Sequence, residues 1–567
     1  DNGKVKINSD NIIKARIRCS SKGFSFAVRT DKLEDVYIRE NHLNHAWHGD
    51  NVIIKIIKDA QRRRAPEGLV LCILDRNTTN LISFLKKEND QIYAKPLDDR
   101  LLENIKLNSS EFEFSENNEL DNIVEVKVNK YPICQLPTEG EILRKLPLDK
   151  GIQGDIDIHL TKNNLQYEEI APKANIKNLA ISKRTNLTDQ KTILFQGWGD
   201  DNSPSLPAFF IEQHNFGTRV WIHSPAISEL FTIPGKTESW IRNRCHALCL
   251  VDSWRPLLNQ EIINKSDFSV NNESEAVSLY FDLDSDGKIL DWEFLLTRIK
   301  PSIKITREQF EAISLRKPKA RNIPVILKPV KNYINQVQTL IFYADKLFKL
   351  DREQVVIKAD NPIINEMNNF KYDFPGREYY GWVSDLNIHD PNSVIRVITN
   401  VANKIWYLHS KSLKIPTISI INQPVENNSI NEVIKTVLAL NIEIELDENG
   451  SINPNDITDS ISDDSCKRIY HKILKNSVKD KFISINNKFD DNPLIEKNED
   501  SKPTSPWTLP SANYLDILNQ YMIVLMIRDG KSKSKSKSQK QVLLGKKDSY
   551  NDFDWDIFSE TINKSIN

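Results

Sequence analysis

Three groups of side chains in this 567-residue sequence have the types and spacing to do chemistry. Asp282-x-Asp284-x-Asp286-Gly287, with Glu293 at the twelfth position, meets the spacing of an EF-hand calcium loop. Asp200 and Asp201 form a second acidic site, but adjacent residues on an extended chain point to opposite faces and share one ion poorly. The third group is Lys22-Gly23-Phe24-Ser25-Phe26, followed by Arg29, Tyr37, Trp47 and His48. Phe24 and Phe26 are two apart, so both leave the same face of a strand. Rings on a basic β-face stack on unpaired bases at about 1–3 kcal/mol per base, whereas a lone Phe pair is otherwise core filling. The remaining candidates are weaker. The 10 histidines form no HExxH, and His45 and His48 of HAWHGD are read as surface or RNA-contacting groups. No GxGxxG or Walker loop occurs. Cys245 and Cys249, at i and i+4, suit a pair of core thiols on one helix.

The elements around these groups decide between readings. An EF-hand needs a helix on each side of its loop. AVSLYF (276–281) instead alternates like a strand, and Pro301 breaks any helix that follows. Asp-Gly between two strands favours a hairpin. The aromatic group lies in an all-β module, where KARIRCS, GFSFAVRT, DVYIRE and NVIIKIIK are β-rich and separated by Gly, Asp and Asn. Residues 1–80 carry 15 basic and 10 acidic side chains, against 77 and 78 in the whole chain. The basic excess is therefore local, which is the pattern that matters for nucleic acid.

A net charge of −1, with 39% hydrophobic and 27% charged residues, fits a soluble globular chain of several domains. No apolar run reaches the roughly 18 residues of a membrane span, and no signal-peptide pattern opens the sequence. The cysteines are scattered without a CxxC pair, which suggests a reducing compartment and no zinc framework. The expected location is cytoplasmic, in a bacterial cytoplasm or a plastid stroma. The expected state is a monomer.

KGFSFAV, DVYI and HAWHGDNVIIKI together resemble a cold-shock-type OB-fold. Residues 80–100 and 111–133 look like a second one, with Gly154-Asp155-Ile156-Asp157 as its closing strand. From about residue 176 the texture becomes mixed α and β. Two OB-folds followed by a large α/β region resemble the ribonuclease II/R (RNB) family. PSIKITREQFEAI, IRNRCHALCLVDSWRPLLNQEI, DPNSVIRVITNVANKIWYL, IPTISIINQP and TSPWTLPSANYLDILNQYM follow in the family's order. The domains implied are 1–80 and 81–175 (OB-folds), 176–530 (ribonuclease II-like α/β domain) and 531–567 (a Lys/Ser-rich flexible tail).

The resemblance implies 3′-to-5′ hydrolysis of single-stranded RNA to nucleoside monophosphates, with Mg²⁺ held by aspartates beside the phosphate. The family's site positions fall on other residues here. The first aspartate falls at Gln196, and the Asp-x-Asp-Asp cluster in the Ser203–Leu206 neighbourhood, which holds no carboxylate. The clamping tyrosine falls at Cys249, a Glu-Glu pair at Arg396 and Val397, and the arginine segment after Thr-Ser-Pro at Trp507-Thr508-Leu509. Asp200 and Asp201 survive nearby. The resulting expectation is a single-stranded-RNA binder with a degenerate catalytic constellation and no assured metal. The alternatives are an active exoribonuclease using Asp200 and Asp201, and a scaffold whose remodelled domain binds a protein.

Overall fold

The computed structural model describes residues 11–20, 23–29, 34–59, 65–88, 91–101, 103–107, 123–146, 151–162, 171–173, 176–177, 184–197, 203–215, 217–249, 254–317, 320, 322–352, 386–413, 415–421, 435, 438–439, 482–485 and 503–529. The chain divides into two compact units, Asp1–Glu169 and Ile170–Asn567.

In the first unit, β1 (Ile12–Cys19), β2 (Ser25–Arg29), β3 (Val36–Ile38), β4 (Asn51–Lys58) and β5 (Glu67–Asp75) close into a barrel of order β1-β2-β3-β5-β4. Its interior takes one side-chain parity from each strand: Ala15 and Ile17, Ala27, Val36 and Ile38, Val52 and Ile54, Val70. A second barrel follows, built from β6 (Asn80–Glu88), β7 (Gln91–Pro96), β8 (Ile105–Leu107), β9 (Ile123–Lys130) and β10 (Glu139–Lys145) in the order β10-β8-β7-β6-β9. Leu81, Leu85, Ala94, Ile105, Val124 and Val126 fill it. These are the two OB-folds expected from the sequence.

The expected closing strand at Gly154–Asp157 is not one. Strand β10 closes the barrel, and those residues belong to helix α1 (Ile152–Lys162). Gly151, at φ +57°, turns the chain into this helix. Asp157 and Thr161, one turn apart, then both meet Arg144: its guanidinium lies 2.6 and 2.9 Å from the Asp157 carboxylate and 2.9 Å from Thr161 Oγ1. Glu125, almost wholly buried, takes the Arg144 Nε–H at 2.8 Å. Ile158 packs on Ile82, Ile123 and Leu146.

In the second unit the short strands β11 (Thr185–Leu187) and β12 (Ile193–Phe195) are followed by β13 (Ala208–His214) and β14 (Gly217–Pro225). After helix α2 (Lys236–Arg244) come β15 (Leu248–Cys249), β16 (Trp254–Arg255) and helix α3 (Gln260–Ser266). Strands β17 (Ser274–Leu283), β18 (Ile289–Ile299) and β19 (Ile303–Ile305) complete a seven-stranded mixed sheet of order β11-β18-β17-β14-β13-β12-β19. The β13–β14 turn needs glycine: Gly217 sits at φ +140°, and a Cβ there would meet Leu283 O at 2.1 Å.

Helices α4 (Arg307–Ser314), α5 (Ile334–Arg352) and α6 (Pro391–Leu413), the strand pair β20 (Ile418–Ile421) and β21 (Phe482–Ile485), and helix α7 (Tyr514–Asp529) follow. Helix α4 starts on a capping box: Thr306 Oγ1 accepts the Gln309 N–H at 3.3 Å, and Gln309 Oε1 accepts the Thr306 N–H at 3.1 Å. Phe209, Phe281, Phe294, Phe310, Trp406 and Trp507 lie in one core shared by sheet and helices.

The Asp282–Glu293 motif is a β17–β18 hairpin, as its alternation implies. Its carboxylates serve the fold. Asp282 binds Arg219 at 2.7 and 2.8 Å, Asp284 Oδ1 accepts the N–H groups of Asp286 and Lys288, and Glu293 accepts the Tyr280 hydroxyl at 3.0 Å. Cys245 and Cys249 do not share a helix. Cys245 caps α2 at φ +66°, and Cys249 lies in β15. The tail from 531 onward lies outside the described residues.

Candidate nucleic-acid interface

The β1–β2 register sets Arg18 opposite Phe26, and the β2–β3 register sets Phe26 opposite Tyr37. One row therefore crosses three strands. Ser25 and Ala27, the neighbours of Phe26, are 2% and 0% exposed, so that parity points inward and Phe24 and Phe26 point outward. Phe24 is 40% exposed. The rings touch edge to face, with centroids 6.2 Å apart for Phe24–Phe26 and 5.6 Å for Phe26–Tyr37. The Arg18 guanidinium lies 5.9 Å from the Phe26 centroid. Phe24 and Phe26 thus lie outside the barrel core, which removes core filling as the account of the pair.

Around the row, Arg18 meets Asp35 at 3.4 Å, Lys58 meets Glu67 at 2.8 Å, and Arg39 also binds Glu67. The Arg18–Asp35 pair is exposed and worth about 0–1 kcal/mol, so a phosphate competes for that guanidinium at little cost, whereas the largely buried Glu67 holds Lys58 and Arg39 more firmly. The result is a solvent-facing set of rings edged by guanidinium and ammonium groups, which is what stacking and phosphate neutralisation require. Arg18 was not singled out from the sequence; its place follows only from the strand register.

Other candidate residues lie elsewhere. Lys22 lies outside the described residues. Arg29 has the parity of the inward positions at the end of β2. Trp47 is 7% exposed and packs with Leu81 and Leu85 in the core of the second barrel, 5.4 Å from the Tyr131 ring. Buried Asp50 accepts the Trp47 N–H at 2.8 Å and binds Arg76 at 2.9 Å, and Arg76 in turn lies 4.4 Å above Tyr131. The HAWHGD segment is thereby a joint between the barrels. His48 belongs to the same joint: its Nδ1 accepts the Cys19 N–H at 3.1 Å and its Nε2 lies 2.8 Å from Arg100. Burial, reinforced by the Arg100 charge, holds this imidazole below its usual range.

The positions assigned to catalysis by resemblance are built into the second unit. Gln196 follows β12 and donates its N–H to Ile305 O at 2.8 Å. Pro204 and Pro207 are buried, and Leu206 packs on the main core. A Cβ on Gly197 would meet Leu206 Cδ1 at 3.2 Å, so the chain here already abuts an apolar side chain. Ser205 donates its hydroxyl to Asp267 and accepts at its carbonyl from Ser511 at 3.3 Å. Arg396 and Val397 are half-buried on α6, placing a cation and an apolar group where the resemblance calls for two carboxylates.

Trp507 is fully buried, 5.7 Å from Phe294, with its indole N–H on Ala402 O at 3.2 Å. Leu509, 8% exposed, donates its N–H to Asp516 Oδ1 at 2.8 Å. Among the described residues no three His, Cys, Asp or Glu side chains gather at a metal-binding distance. The donors at the described positions do not fit Mg²⁺, which requires hard anionic oxygens in octahedral order and surrenders its water reluctantly. Asp200 and Asp201 lie outside the described residues, and the Cys249 side chain is not described.

Asp516 anchors the 507–509 segment. Burial pushes its carboxyl up to about 7, although the N–H groups of Leu509, Asp516 and Thr508 pull it down. Because the folded value lies above the ordinary 3.8, the folded chain binds this proton more tightly than the unfolded one. That stabilisation is full below about pH 4 and is lost as pH rises to about 7, at about 1.4 kcal/mol per pH unit. Asp516→Asn should remove this dependence. Urea midpoints measured from pH 4 to 8 should show the wild type losing stability relative to the variant up to about pH 7. Parallel curves in that window would place an ionised carboxylate in the fold.

Residues 184–529 match the RNB domain, and residues 15–73 match the ribonuclease B OB domain. The chain belongs to the RNB family. Among curated relatives, this RNB chain is 26% identical to the acetazolamide conferring resistance protein zam of Synechocystis, over 99% of its own length and 71% of that protein. It is 20% identical to ribonuclease R of Aquifex aeolicus, covering 78% of its own length and 61% of the relative. In structure it resembles ribonuclease R of Mycoplasma genitalium at a TM-score of 0.71 and 14% identity, covering 98% of this chain and 85% of that one. It resembles yeast Ssd1 at 0.68 and 16%, covering 92% and 69%. Among the described residues no helix is long and apolar enough to cross a membrane.

Proposed function

We propose that this RNB chain binds single-stranded RNA on the outer face of its first barrel and does not hydrolyse it. The observation that carries the binding is the outward Arg18–Phe26–Tyr37 row with Phe24 beside it. Three rings and a guanidinium on a convex β-face offer stacking surfaces that any base can use. The catalytic half rests on the residues at Gln196, Ser203–Leu206, Arg396 and Leu509, which offer neutral, apolar or inverted chemistry where carboxylates and an arginine are needed. The fold is compatible with either outcome: the Mycoplasma ribonuclease R has been solved with ribose-methylated single-stranded RNA, and Ssd1 is described as a pseudonuclease. Fold membership alone does not carry function.

The test is the affinity of the full chain for labelled single-stranded RNA without metal. Phe24→Ala with Phe26→Ala should weaken it by roughly 2–4 kcal/mol, less any non-additivity. Wild-type affinity in the folded double variant would remove the row from the interface.

A further inference from the structure

The segment between helices α4 and α5 carries two features that RNA binding on the first barrel does not use. The first is charge. Between Glu311 and Asp345 the chain has no carboxylate, yet Arg316, Lys317, Lys319, Arg321, Lys328 and Lys331 all fall there, although the two signs balance at 77 and 78 over the whole chain. Lys319 and Arg321 lie outside the described residues. Lys317, Lys328 and Lys331 are exposed, and no carboxylate among the described residues pairs with them. Asp345 itself is taken by Lys349 at 2.7 Å.

The second feature is an apolar tip. Leu327 and Val330 are buried in the main core and fix a 3-10 turn over Val325–Leu327. That anchoring leaves Val325 77% and Ile326 44% exposed. The turn packs on α4, whose C-cap residue Leu315 is 64% exposed. Single exposed aliphatics are ordinary on a soluble surface. Two adjacent β-branched ones on a turn, with a third on the helix it packs against and lysines on either side, make a patch of the kind that marks an interaction surface. The backbone of the turn is closed on itself: Leu327 donates its N–H to Pro324 O at 3.0 Å, Lys328 to Val325 O at 3.2 Å, and Val330 to Leu327 O at 3.2 Å. Pro324 and Pro329 have no N–H to offer.

We infer that this turn docks peripherally on an anionic lipid surface, with Val325 and Ile326 entering the acyl boundary and Lys317, Lys328 and Lys331 meeting the headgroup phosphates. A nucleic-acid strand would use the lysines but finds no ring to stack on at Val325 and Ile326. A protein strand added edge-on needs free main-chain donors and acceptors, which the closed turn withholds. The boundary of a bilayer rewards what is present: an apolar tip, a backbone paired within itself, and cations a few residues away. The chain would lie on such a surface without spanning it.

The experiment sediments the full chain with vesicles of phosphatidylglycerol and phosphatidylcholine in equal parts, and with vesicles of phosphatidylcholine alone. The wild type should partition onto the anionic vesicles and stay in solution with the neutral ones. Each lysine near an anionic surface is worth roughly five-fold, so Lys317→Gln, Lys328→Gln and Lys331→Gln together should lower the partition about a hundred-fold. The corresponding Lys→Arg triple should bind as the wild type does. Val325→Ser with Ile326→Ser should lower the partition about ten-fold, through apolar area lost at the boundary. Each variant is read as a ratio to the wild type, so lysines elsewhere in the chain cancel. All five side chains are exposed, so the urea midpoint should not move. An unchanged partition in the serine pair overturns the inference, because a polybasic surface adsorbs without inserting. Equal partition of the wild type onto neutral vesicles, or none onto anionic ones, also overturns it. A glutamine triple that loses oligouridylate affinity and keeps its vesicle binding would make the turn an RNA contact instead. Wild-type binding to poly-L-glutamate without binding to vesicles would make it a site for an acidic protein surface, and the lipid inference would fall.

Discussion

Labelled single-stranded RNA incubated with the purified chain and Mg²⁺ or Mn²⁺ is expected to stay at full length. A hydrolytic exonuclease needs anionic oxygens to seat its metal and a cation to offset charge developing on the phosphate. At Gln196 the chain offers an amide, and at Ser203–Leu206 it offers hydroxyl, proline and leucine side chains. Leu509 is buried, with its N–H committed to Asp516, so that segment supplies no guanidinium. Gln196→Asp alone should therefore restore nothing, because the apolar contact of Leu206 and the Leu509 segment remain. RNA binding should persist without added metal. Shortening from the 3′ end that disappears on Asp200→Ala with Asp201→Ala would sink this expectation and make that pair the metal ligands.

The second large effect concerns the same segment. Trp507→Ala should cost about 3–5 kcal/mol in the urea transition of the second unit, because a fully buried indole leaves a cavity that its neighbours fill only partly. Trp507 stands against Phe294, which also meets Trp406 at 5.5 Å. Its backbone N–H reaches Asn403 Oδ1 at 3.2 Å. Asn519 of α7 donates to Pro506 O at 2.8 Å and accepts from Thr417 and Ile418, tying the segment to β20. Trp507→Phe keeps most of the volume and should cost less than half as much. Equal stability of Trp507→Ala and the wild type would mean that the indole is not packed as described.

Much of this was legible before any coordinates. Ser25 and Ala27 alternate with Phe24, Phe26 and Val28, and that alternation requires the two phenylalanines to share a face. AVSLYF followed by Asp-Gly marks a hairpin even though its acidic spacing imitates a calcium loop. The order of segments from KGFSFAV to TSPWTLP resembles the family's order, and the match of residues 184–529 to the RNB domain bears that resemblance out. The helix at Ile152–Lys162 was not legible. Ile156-Asp157-Ile158-His159-Leu160 alternates like a strand, and what decided against one was β10 closing the barrel while Arg144 offered its guanidinium to Asp157 and Thr161 one turn apart.

The sequence by itself determined which residues lie on common faces and where the β-modules lie, and its resemblance to the family set the expectation that the carboxylate positions fall on other side chains. Those are properties of local period and residue chemistry. Only the tertiary structure decided which face of β2 is inside, because a narrow barrel accepts Ser25 and Ala27 and excludes two phenyl rings. It likewise decided that Arg18 lies over Phe26, since cross-strand register is set by pairing between segments. Trp47 shows the limit most clearly. It reads as one more ring in the first module, yet it packs with Leu81 and Leu85 of the second, because burial depends on whichever distant surface arrives beside it.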